Sequence, residues 1–355
     1  MIFFVAPTDE LWEMEEYLHQ FGAHLLNRIT LVRYDDITAG KPLPAGTYVF
    51  SAIDRLFPAE RGIAARFCDE LCRADPEVKL INHPGRVLCR CDLLKKCFAL
   101  KRNSFRIFRV HEFHRCKKFP VFIRPEGEHT GSMTRLLYTR RELTRELVNA
   151  SILGYRLRDL LIVEYCDTAD TSGIFRLYCA TIVGNEIIPQ IIIHNRNWIA
   201  KWDGRLVDEE KEREIRDYVE ANPHATWLKV SFELARINYG RMDYGLLNGV
   251  PHLWEINTNP TIVRPVGSAS GLTQEQRDLL EPTRNRFLRH LGVALEKLDG
   301  PANPTKTIRV EISETERRRV EVERELKFRL RARRTIFRRL EPAISWLRHP
   351  FEPRM

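Results

Sequence analysis

RMDYGLLNGVPHLWEINTNP, residues 241–260, says more about the fold than any other stretch of this sequence. It contains two short apolar runs, 244–247 and 250–254, which are separated by Asn248-Gly249. Asn-Gly between strand-like segments is a strong hairpin signal, because both residues accept the positive φ of a tight turn. We therefore expect two strands that lie side by side across this turn.

The expected hairpin would bring three oxygen-bearing side chains together. Side chains at i and i+2 of a strand share a face, so Glu255 and Asn257 point the same way and Asp243 reaches them from the neighbouring strand. Hard oxygen donors that leave room for water and phosphate suit Mg²⁺ better than Zn²⁺ or a redox metal. The pattern predicts a magnesium site, and the plain structural alternative is an edge hairpin whose acids face solvent.

The motif Arg-x-Asp followed by Glu-x-Asn-x-x-Pro resembles the C-terminal signature of the ATP-grasp superfamily. The resemblance covers about residues 1–295 and points towards carboxylate–amine ligases similar to the ribosomal-protein glutamate ligases and the D-alanine–D-alanine ligases. It implies α/β and α+β architecture. An N-terminal open α/β domain would come first in the chain, and two α+β halves that enclose Mg-ATP would follow it. ATP and Mg²⁺ are the cofactors that it implies.

Composition separates this chain from several other classes of protein. At 355 residues it is long enough for more than one domain. No apolar run approaches about 20 residues, which argues against a transmembrane span. The start, MIFFVAP, lacks the basic region of a signal peptide and is typical of a buried first strand. Eight cysteines without CxxC pairs predict reduced structural thiols, so we expect a cytoplasmic protein.

The positive charge is concentrated in the tail. Residues 301–355 carry fifteen Lys and Arg against eight Asp and Glu, which is +7 of the total +9. The first 300 residues are therefore close to neutral. Because the basic footprint does not cover the expected catalytic body, specific nucleic-acid binding is not indicated.

The first 85 residues alternate strand and helix patterns. Strands are expected at 3–6, 28–34, 47–52 and 78–82, with helices at 9–20 and 59–73. No GxGxxG follows the first strand, so a bound dinucleotide is not indicated. The resemblance implies that this α/β domain, 1–85, precedes the ATP-binding halves and that its strand ends help to form the acceptor pocket.

A strand over 119–125 leads into the polar turn 126–132. Such a turn offers backbone amides at Gly127 and Gly131 and hydroxyls at Thr130 and Ser132 to phosphate oxygens, and Arg124 adds a bidentate cation. An ordinary surface hairpin fits the same residues. The family normally has Lys at the position of Arg124, and the two cations bind phosphate with different geometry.

The family's earlier phosphate-contacting lysine should lie near the start of the basic amphipathic helix expected over 92–102. Arg90, Lys95 and Lys96 are the candidates, and the sequence does not choose among them. All three also fit the alternative of solvated surface charges.

Residues 159–167 are typical of a buried strand that ends in an acid. The resemblance implies that such a strand becomes the hinge for adenine, which by position matches Glu164, Tyr165 and Cys166, and that Asp167 or Asp170 contacts ribose. A core strand with a surface acid is the alternative that the local sequence leaves open.

A second hairpin is expected around Gly184-Asn185, between runs at 175–183 and 186–193. The resemblance implies cations near the transferred phosphate in this region, while His194 fits either a structural or a surface role. In order of preference, the catalytic candidates are Arg241, which shares a strand face with Asp243, then Arg176, Lys201 and Arg196.

A long helix over 273–297 should close the ATP-grasp domain, 86–300, before the Gly/Pro break at 300–304. Ser313 and Glu316 form a capping box, which predicts the start of a helix. We therefore expect the tail, 301–355, to be a linker followed by this helix. Seven Lys and Arg and no acid lie between 327 and 340. The apolar residues that share one third of this helix are Val322, Leu326, Leu330, Ile336, Phe337 and Leu340.

The stripe over 313–341 leaves two kinds of partner open. It docks on the catalytic body, a partner protein or a second copy, or it lies on an anionic surface such as the inner face of a membrane. For the whole chain, the resemblance to the ATP-grasp superfamily implies an enzyme that joins a small-molecule or peptide carboxylate to an amine through an acylphosphate. The alternatives are an ATP-grasp kinase for a hydroxyl acceptor and a non-catalytic nucleotide-binding scaffold with a recruiting tail.

Overall fold

The computed structural model describes residues 1–129, 131–202, 204–263, 271–300 and 303–348, and the side chains of all of these except 303–305, 331 and 336–348. The predicted fold class is confirmed: a parallel α/β sheet precedes two antiparallel sheets that are combined with helices. Among the described residues, no helix is both long and apolar enough to cross a membrane.

The N-terminal part is a four-stranded parallel sheet in the order β2-β1-β4-β5. Its strands are β1 (Ile2–Ala6), β2 (Ile29–Arg33), β4 (Thr47–Phe50) and β5 (Leu80–Ile81). Its helices are α1 (Trp12–Gln20), α2 (Tyr34–Thr38) and α3 (Pro58–Ala74). Strands β2, β4 and β5 are shorter than the sequence predicts; Tyr34 already begins a helix, and the segment after Phe50 leaves the sheet.

Strand β1 is buried on both faces because helices cover both sides of the sheet. Phe3 and Val5 lie in one core with Phe67 of α3, while Ile2 and Phe4 lie in the other core with α1. The alternation follows the two-residue period of a strand. An apolar run without polar interruption at the start of the chain therefore becomes a central strand.

The tail returns to the N-terminal part. Strand β13 (Asn303–Ile308) pairs antiparallel with β3 (Leu43–Ala45), and helix α9 (Glu314–Arg348) follows. The sequence predicts a linker at the start of the tail because Pro and Gly break the pattern there. The structure instead has a strand, whose partner lies about 260 residues earlier in the chain.

The middle part is a three-stranded antiparallel sheet in the order β6-β8-β7. It consists of β6 (Ile107–Arg109), β7 (Val121–Pro125) and β8 (Leu160–Glu164), with α4 (Arg90–Ala99) before it and α5 (Arg140–Ile152) packed on it. Leu143 and Leu147 of α5 meet Ile123 and Ile162 in one core. Helix α4 starts two residues before the predicted position, with Cys89 as its N-cap.

The last part is a four-stranded antiparallel sheet in the order β10-β9-β11-β12. Its strands are β9 (Phe175–Val183), β10 (Glu186–Asn195), β11 (Tyr239–Leu247) and β12 (Val250–Asn257). Helices α6 (Glu209–Ala221), α7 (Ala225–Ala235) and α8 (Gln274–Glu296) accompany it. Both predicted hairpins are present, and the cleft described below lies between this sheet and the middle one.

Candidate active site

The hairpin of β11 and β12 sets the position of the candidate metal ligands. Asn248 and Gly249 both have positive φ, 52° and 77°, as an Asn-Gly hairpin turn requires. In the strand register Asp243 is opposite Glu255, and Arg241 is opposite Asn257. Directly opposed residues of an antiparallel pair share a face, so these four side chains lie on the same side of the sheet.

Asp243 is held by its neighbour on the same strand. Arg241 donates to both carboxylate oxygens, from Nε at 2.7 Å and from Nη2 at 3.0 Å. Both residues are buried. Burial alone would lower the pKa of Arg241, but the Asp243 carboxylate outweighs it and raises that pKa. The guanidinium is therefore a fixed cation beside this carboxylate.

Glu255 is held by two arginines from the middle part of the chain. Arg124 of β7 donates to Oε2 at 2.5 Å, and Arg90 at the start of α4 donates to the same oxygen at 2.8 Å. The three side chains are between 7% and 12% exposed, so this is a buried ion cluster. Burial raises the pKa of Glu255, but Arg90 and Arg124 outweigh burial and hold that pKa well below its usual range.

His129 joins this cluster to the N-terminal part. Its Nδ1 lies 3.4 Å from Glu255 Oε1, and its Nε2 lies 2.7 Å from Asp54 Oδ2. Asp54 follows β4 and also accepts from the hydroxyl of Thr258 at 3.2 Å. Burial disfavours the charged form of both His129 and Asp54, but the attraction between the two side chains outweighs burial. The pKa of His129 is therefore raised, and the pKa of Asp54 is lowered to about 2.

The donor set at the hairpin fits Mg²⁺ in its chemistry. Asp243, Glu255 and Asn257 supply two carboxylates and an amide oxygen, which are hard ligands. The described residues contain no group of three His, Cys, Asp or Glu that could hold a metal, so the amide of Asn257 is needed to complete the set. Its Oδ1 accepts from the Asn259 backbone at 2.8 Å, which fixes its direction. A metal here competes with arginines for both carboxylates.

The predicted phosphate turn follows Arg124 and lies against the same cluster. Gly131 has a φ of 89°, and a Cβ placed there would lie 3.0 Å from Cε of Lys201, so this lysine approaches the turn closely. The hydroxyl of Ser132 donates to backbone carbonyls of Ile123 and Thr134. Gly127 is close to the Asp54 carbonyl, and Thr130 is outside the described residues.

Among the three candidates for the earlier phosphate cation, only Arg90 lies at the cluster. Besides Glu255, its guanidinium donates to the carbonyls of Glu126 and Glu128 in the turn. Lys95 points to Glu112 at 2.6 Å, and Lys96 is exposed. Arg90 therefore ties helix α4 to the phosphate turn and to the hairpin.

The hinge residues line the cleft, which has a volume of about 350 Å³. Glu164 is turned away into an ion pair with Arg106 at 3.0 Å, and the Tyr165 amide donates to Pro120 at 2.9 Å. A base bound at this point would meet the remaining backbone groups of Tyr165 and Cys166. Asp167 does not line the cleft; its carboxylate accepts from the Ala169 amide at 3.1 Å in a local turn.

Arg176 lines the cleft but is already paired. It donates to Asp170 at 2.5 Å and to Glu214 at 2.8 Å, and Glu214 also contacts His194 at 2.9 Å. The carboxylate of Asp170 is therefore already paired with this arginine. Hydrogen bonds from Arg176 and from backbone amides lower the pKa of Asp170 to about 2. The predicted structural role of His194 agrees with its burial at 1% exposure. Among the described residues, Arg196 contacts the carbonyl of Ser172, at 3.5 Å.

The sequence reasoning missed the aromatic lining of the cleft. Trp198 packs on Phe122 and Tyr165, with ring centroids 4.9 Å and 5.7 Å apart, and Trp254 packs on Phe105 at 5.2 Å. The register of β11 and β12 shifts by one residue at Trp254, so that Trp254 and its neighbour Glu255 both line the cleft, although regular alternation would place them on opposite faces. His129 was visible in the phosphate turn, but its two carboxylate partners lie 75 and 126 residues away.

Comparison with known proteins gives matches in structure alone. No family model matches the chain, and no curated protein matches it. D-alanine–D-alanine ligase from Bacillus anthracis in complex with ATP is 12% identical, with a TM-score of 0.46 over 84% of this chain and 97% of that one. A RimK-domain ATP-grasp protein from Sphaerobacter thermophilus is 10% identical, with a TM-score of 0.42 over 82% of this chain and 100% of that one.

A third solved structure is the ATP-grasp ligase from Chryseobacterium gregarium in complex with ADP and a leader and core peptide. It is 10% identical, with a TM-score of 0.43 over 84% of this chain and 98% of that one. At these identities and TM-scores, the three structures carry no argument about substrate or reaction. In this chain two sheets face one cleft, and Asp243 and Glu255 lie on the hairpin of the second sheet. The sequence resemblance to the ATP-grasp superfamily predicts this arrangement.

Proposed function

We propose that this protein is an ATP-dependent ligase that joins a carboxylate to an amine through an acylphosphate. In this proposal the 86–300 region binds Mg-ATP between its two sheets, the 1–85 region borders the acceptor, and the 301–355 region is an accessory element. The observation that carries the proposal is the charged lining of the cleft, where Arg124, Arg241 and Lys201 meet Asp243 and Glu255.

The lining suits both the base and the phosphates of a nucleoside triphosphate. Rings of Phe122, Tyr165 and Trp198 contact one another at the cleft and offer faces on which a base can stack. The cations Arg90 and Arg124 converge on one carboxylate oxygen, so two guanidiniums already lie within reach of a single anion. Arginine forks are well suited to phosphate oxygens.

The candidate metal ligands are Asp243, Glu255 and Asn257. When Mg²⁺ is bound there, it would supply charge stabilisation to the phosphoryl group and hold two phosphates in place. The chain's own contribution is to provide two carboxylates and an amide on one face of a rigid hairpin. Arg90, Arg124 and Arg241 would exchange these carboxylates for phosphate oxygens when the nucleotide enters.

The acceptor would lie where the N-terminal sheet meets the hairpin exit. In parallel α/β sheets, ligands bind at the carboxyl ends of the strands. Ser51, just after β4, donates to Asn259 at 2.8 Å, and the Ile53 amide donates to Thr258 at 3.1 Å. This contact joins the carboxyl edge of the parallel sheet to the segment that follows Asn257.

The reaction has two steps. A carboxylate oxygen of the first substrate attacks the γ-phosphorus of ATP, and the bond to the bridging oxygen breaks, which gives ADP and an acylphosphate. The amine nitrogen then attacks the acyl carbon, the bond to the phosphate oxygen breaks, and the nitrogen loses a proton, which gives an amide and inorganic phosphate. Positioned cations such as Arg241 stabilise the charge on the transferring phosphoryl group.

The test is a screen of carboxylic acids with hydroxylamine as the amine. An acylphosphate would be trapped as a hydroxamate, with stoichiometric ADP, and the natural amine would then replace hydroxylamine. Asp243→Asn should abolish the hydroxamate while the protein stays folded by circular dichroism. ADP release with a polyol in the absence of any acid would identify a kinase and refute the ligase. ATP binding without ADP release under every pair of substrates would identify a scaffold.

A further inference from the structure

Helix α9 is held on the body by one face, and the contacts on that face are mainly ion pairs. Arg324 donates to Asp35 at 2.5 Å and to Glu60 at 2.6 Å, and Arg334 donates to Glu128 at 2.9 Å. Val320 on the same face is buried, with 5% exposure. Because the pairs are spread over ten residues, they fix the rotation of the helix about its axis.

The opposite face of α9 is apolar and basic. At about 100° per residue, Val322 and Leu326 lie across the helix from Arg324 and Val320. They are 56% and 38% exposed. Sequence reasoning allows this stripe to dock on the body, but Val322 and Leu326 are exposed, whereas Leu330 of the same stripe is partly buried. A helix that turns charges inward and aliphatic residues outward reverses the usual arrangement of a surface helix.

Exposed arginines flank these aliphatic residues. Arg318, Arg319, Arg329 and Arg333 lie within about one third of the circumference centred on Val322, and all four are exposed. On this third the acid Glu325 is paired with Arg329 at 2.6 Å. The side chains of Ile336, Phe337 and Leu340, which the sequence assigns to the same stripe, are outside the described residues.

Helix α5 adds a second exposed surface of the same composition. Val148 and Ile152 are 54% and 43% exposed, and Arg141 and Arg145 precede them on the same helix face. The two helices meet where Arg333 donates to the Ile152 carbonyl at 3.2 Å. The basic–aliphatic surface is therefore composed of these four residues of α5 and of Arg318, Arg319, Val322, Leu326, Arg329 and Arg333 of α9.

We propose that the basic–aliphatic surface binds the face of an anionic lipid bilayer. Charge complementarity carries this choice, because the exposed guanidiniums of Arg318, Arg319 and Arg329 flank the aliphatic side chains of α9. Separated valine, leucine and isoleucine side chains insert at the headgroup boundary while arginines pair with lipid phosphates. The proposal is independent of the reaction catalysed in the cleft.

The test uses the full-length protein and vesicles of phosphatidylcholine, with or without phosphatidylglycerol. We expect co-sedimentation with the anionic vesicles alone, and we expect it to weaken as salt screens the charges. The double variant Val322→Glu/Leu326→Glu should lose binding. Its control is Val293→Glu on α8, where a valine of similar exposure, 51%, lies outside this surface and should leave binding unchanged.

Charge is tested separately by Arg318→Gln and Arg319→Gln. Each should weaken vesicle binding about fivefold, which is the factor that corresponds to about 1 kcal/mol per basic residue at an anionic surface. Thermal unfolding should be unchanged in all these variants because the substituted side chains are exposed. The proposal is overturned if wild type ignores anionic vesicles, if it binds soluble polyglutamate but not vesicles, or if the Val322/Leu326 variant binds as wild type does.

Discussion

Glu255→Gln should destabilise the folded protein as well as alter the proposed metal site. The substitution keeps the shape of the side chain but removes the charge that Arg90 and Arg124 share at 2.8 Å and 2.5 Å. Two guanidiniums that are 7% and 10% exposed would then face each other without a counterion. Removing one partner of a buried ion pair costs about 3–5 kcal/mol.

The measurement is urea unfolding near neutral pH, followed by fluorescence of the six tryptophans, with each transition fitted separately. The control is Glu186→Gln, whose partner Lys297 lies 2.9 Å away in a pair that is more than half exposed on both sides. An exposed pair of this kind contributes less than about 1 kcal/mol.

A second variant separates the ion cluster from a general effect of the substitution. Glu255→Gln combined with Arg124→Gln should recover part of the loss, because one of the two uncompensated cations is also removed. Losses that simply add in the double variant would refute the reasoning. An effect of Glu255→Gln no larger than that of Glu186→Gln would refute it as well.

Two further substitutions probe the surroundings of the site. Burial and the nearby Glu10 carboxylate raise the pKa of Glu13 from 4.5 to about 7, so the folded state binds more protons than the unfolded state between these pH values. The free energy of unfolding of the wild type should therefore fall as pH rises through that window. The expected fall is about 3 kcal/mol, at about 1.36 kcal/mol per pKa unit. Glu13→Gln should remove this pH dependence in urea titrations. Gly127→Ala should cost about 1–3 kcal/mol and weaken ATP binding in calorimetry, because its Cβ would lie 2.8 Å from the Asp54 carbonyl oxygen. The matched control Gly62→Ala, in α3 with nothing within 4 Å of the added Cβ, should instead stabilise by about 0.4–1 kcal/mol, and a loss of equal size in both variants would contradict the steric argument.

The hairpin was predictable because its signals are local. Asn248-Gly249 specifies the turn, and regular pairing outward from it would place Asp243 opposite Trp254. The pairing of Asp243 with Glu255 depends on a one-residue register shift between Asp243 and Tyr244, which the sequence pattern did not reveal. The turn of the hairpin around Gly184, whose φ is 62°, was likewise predictable from local signals.

The partners of the acids were not predictable because they come from distant parts of the chain. Arg90 is 165 residues from Glu255, and Arg124 is 131 residues from it. Sequence spacing says nothing about a contact that forms only when α4, β7 and the hairpin pack together. The choice of Arg90 over Lys95 was open for the same reason, since Glu112 decides the direction of Lys95.

The tail shows a different limit of periodicity. The pattern correctly assigns Val322 and Leu326 to one face of a helix, but it does not say which face meets the body. Dispersed ion pairs with Asp35, Glu60 and Glu128 decided that question. An apolar stripe indicates the docking face only when no stronger set of contacts competes for it.

The bridge from Asp54 through His129 to Glu255 connects three parts of the chain that the sequence analysis treated separately. Asp54 follows the parallel sheet, His129 lies in the phosphate turn, and Glu255 belongs to the hairpin. Networks of buried charged hydrogen bonds are cooperative, so the loss of one member loosens the others. We therefore expect a substitution in the N-terminal part to change the proposed nucleotide binding without touching the nucleotide. For this reason, the role of a residue in the cleft is established only when binding and unfolding are measured on the same variant.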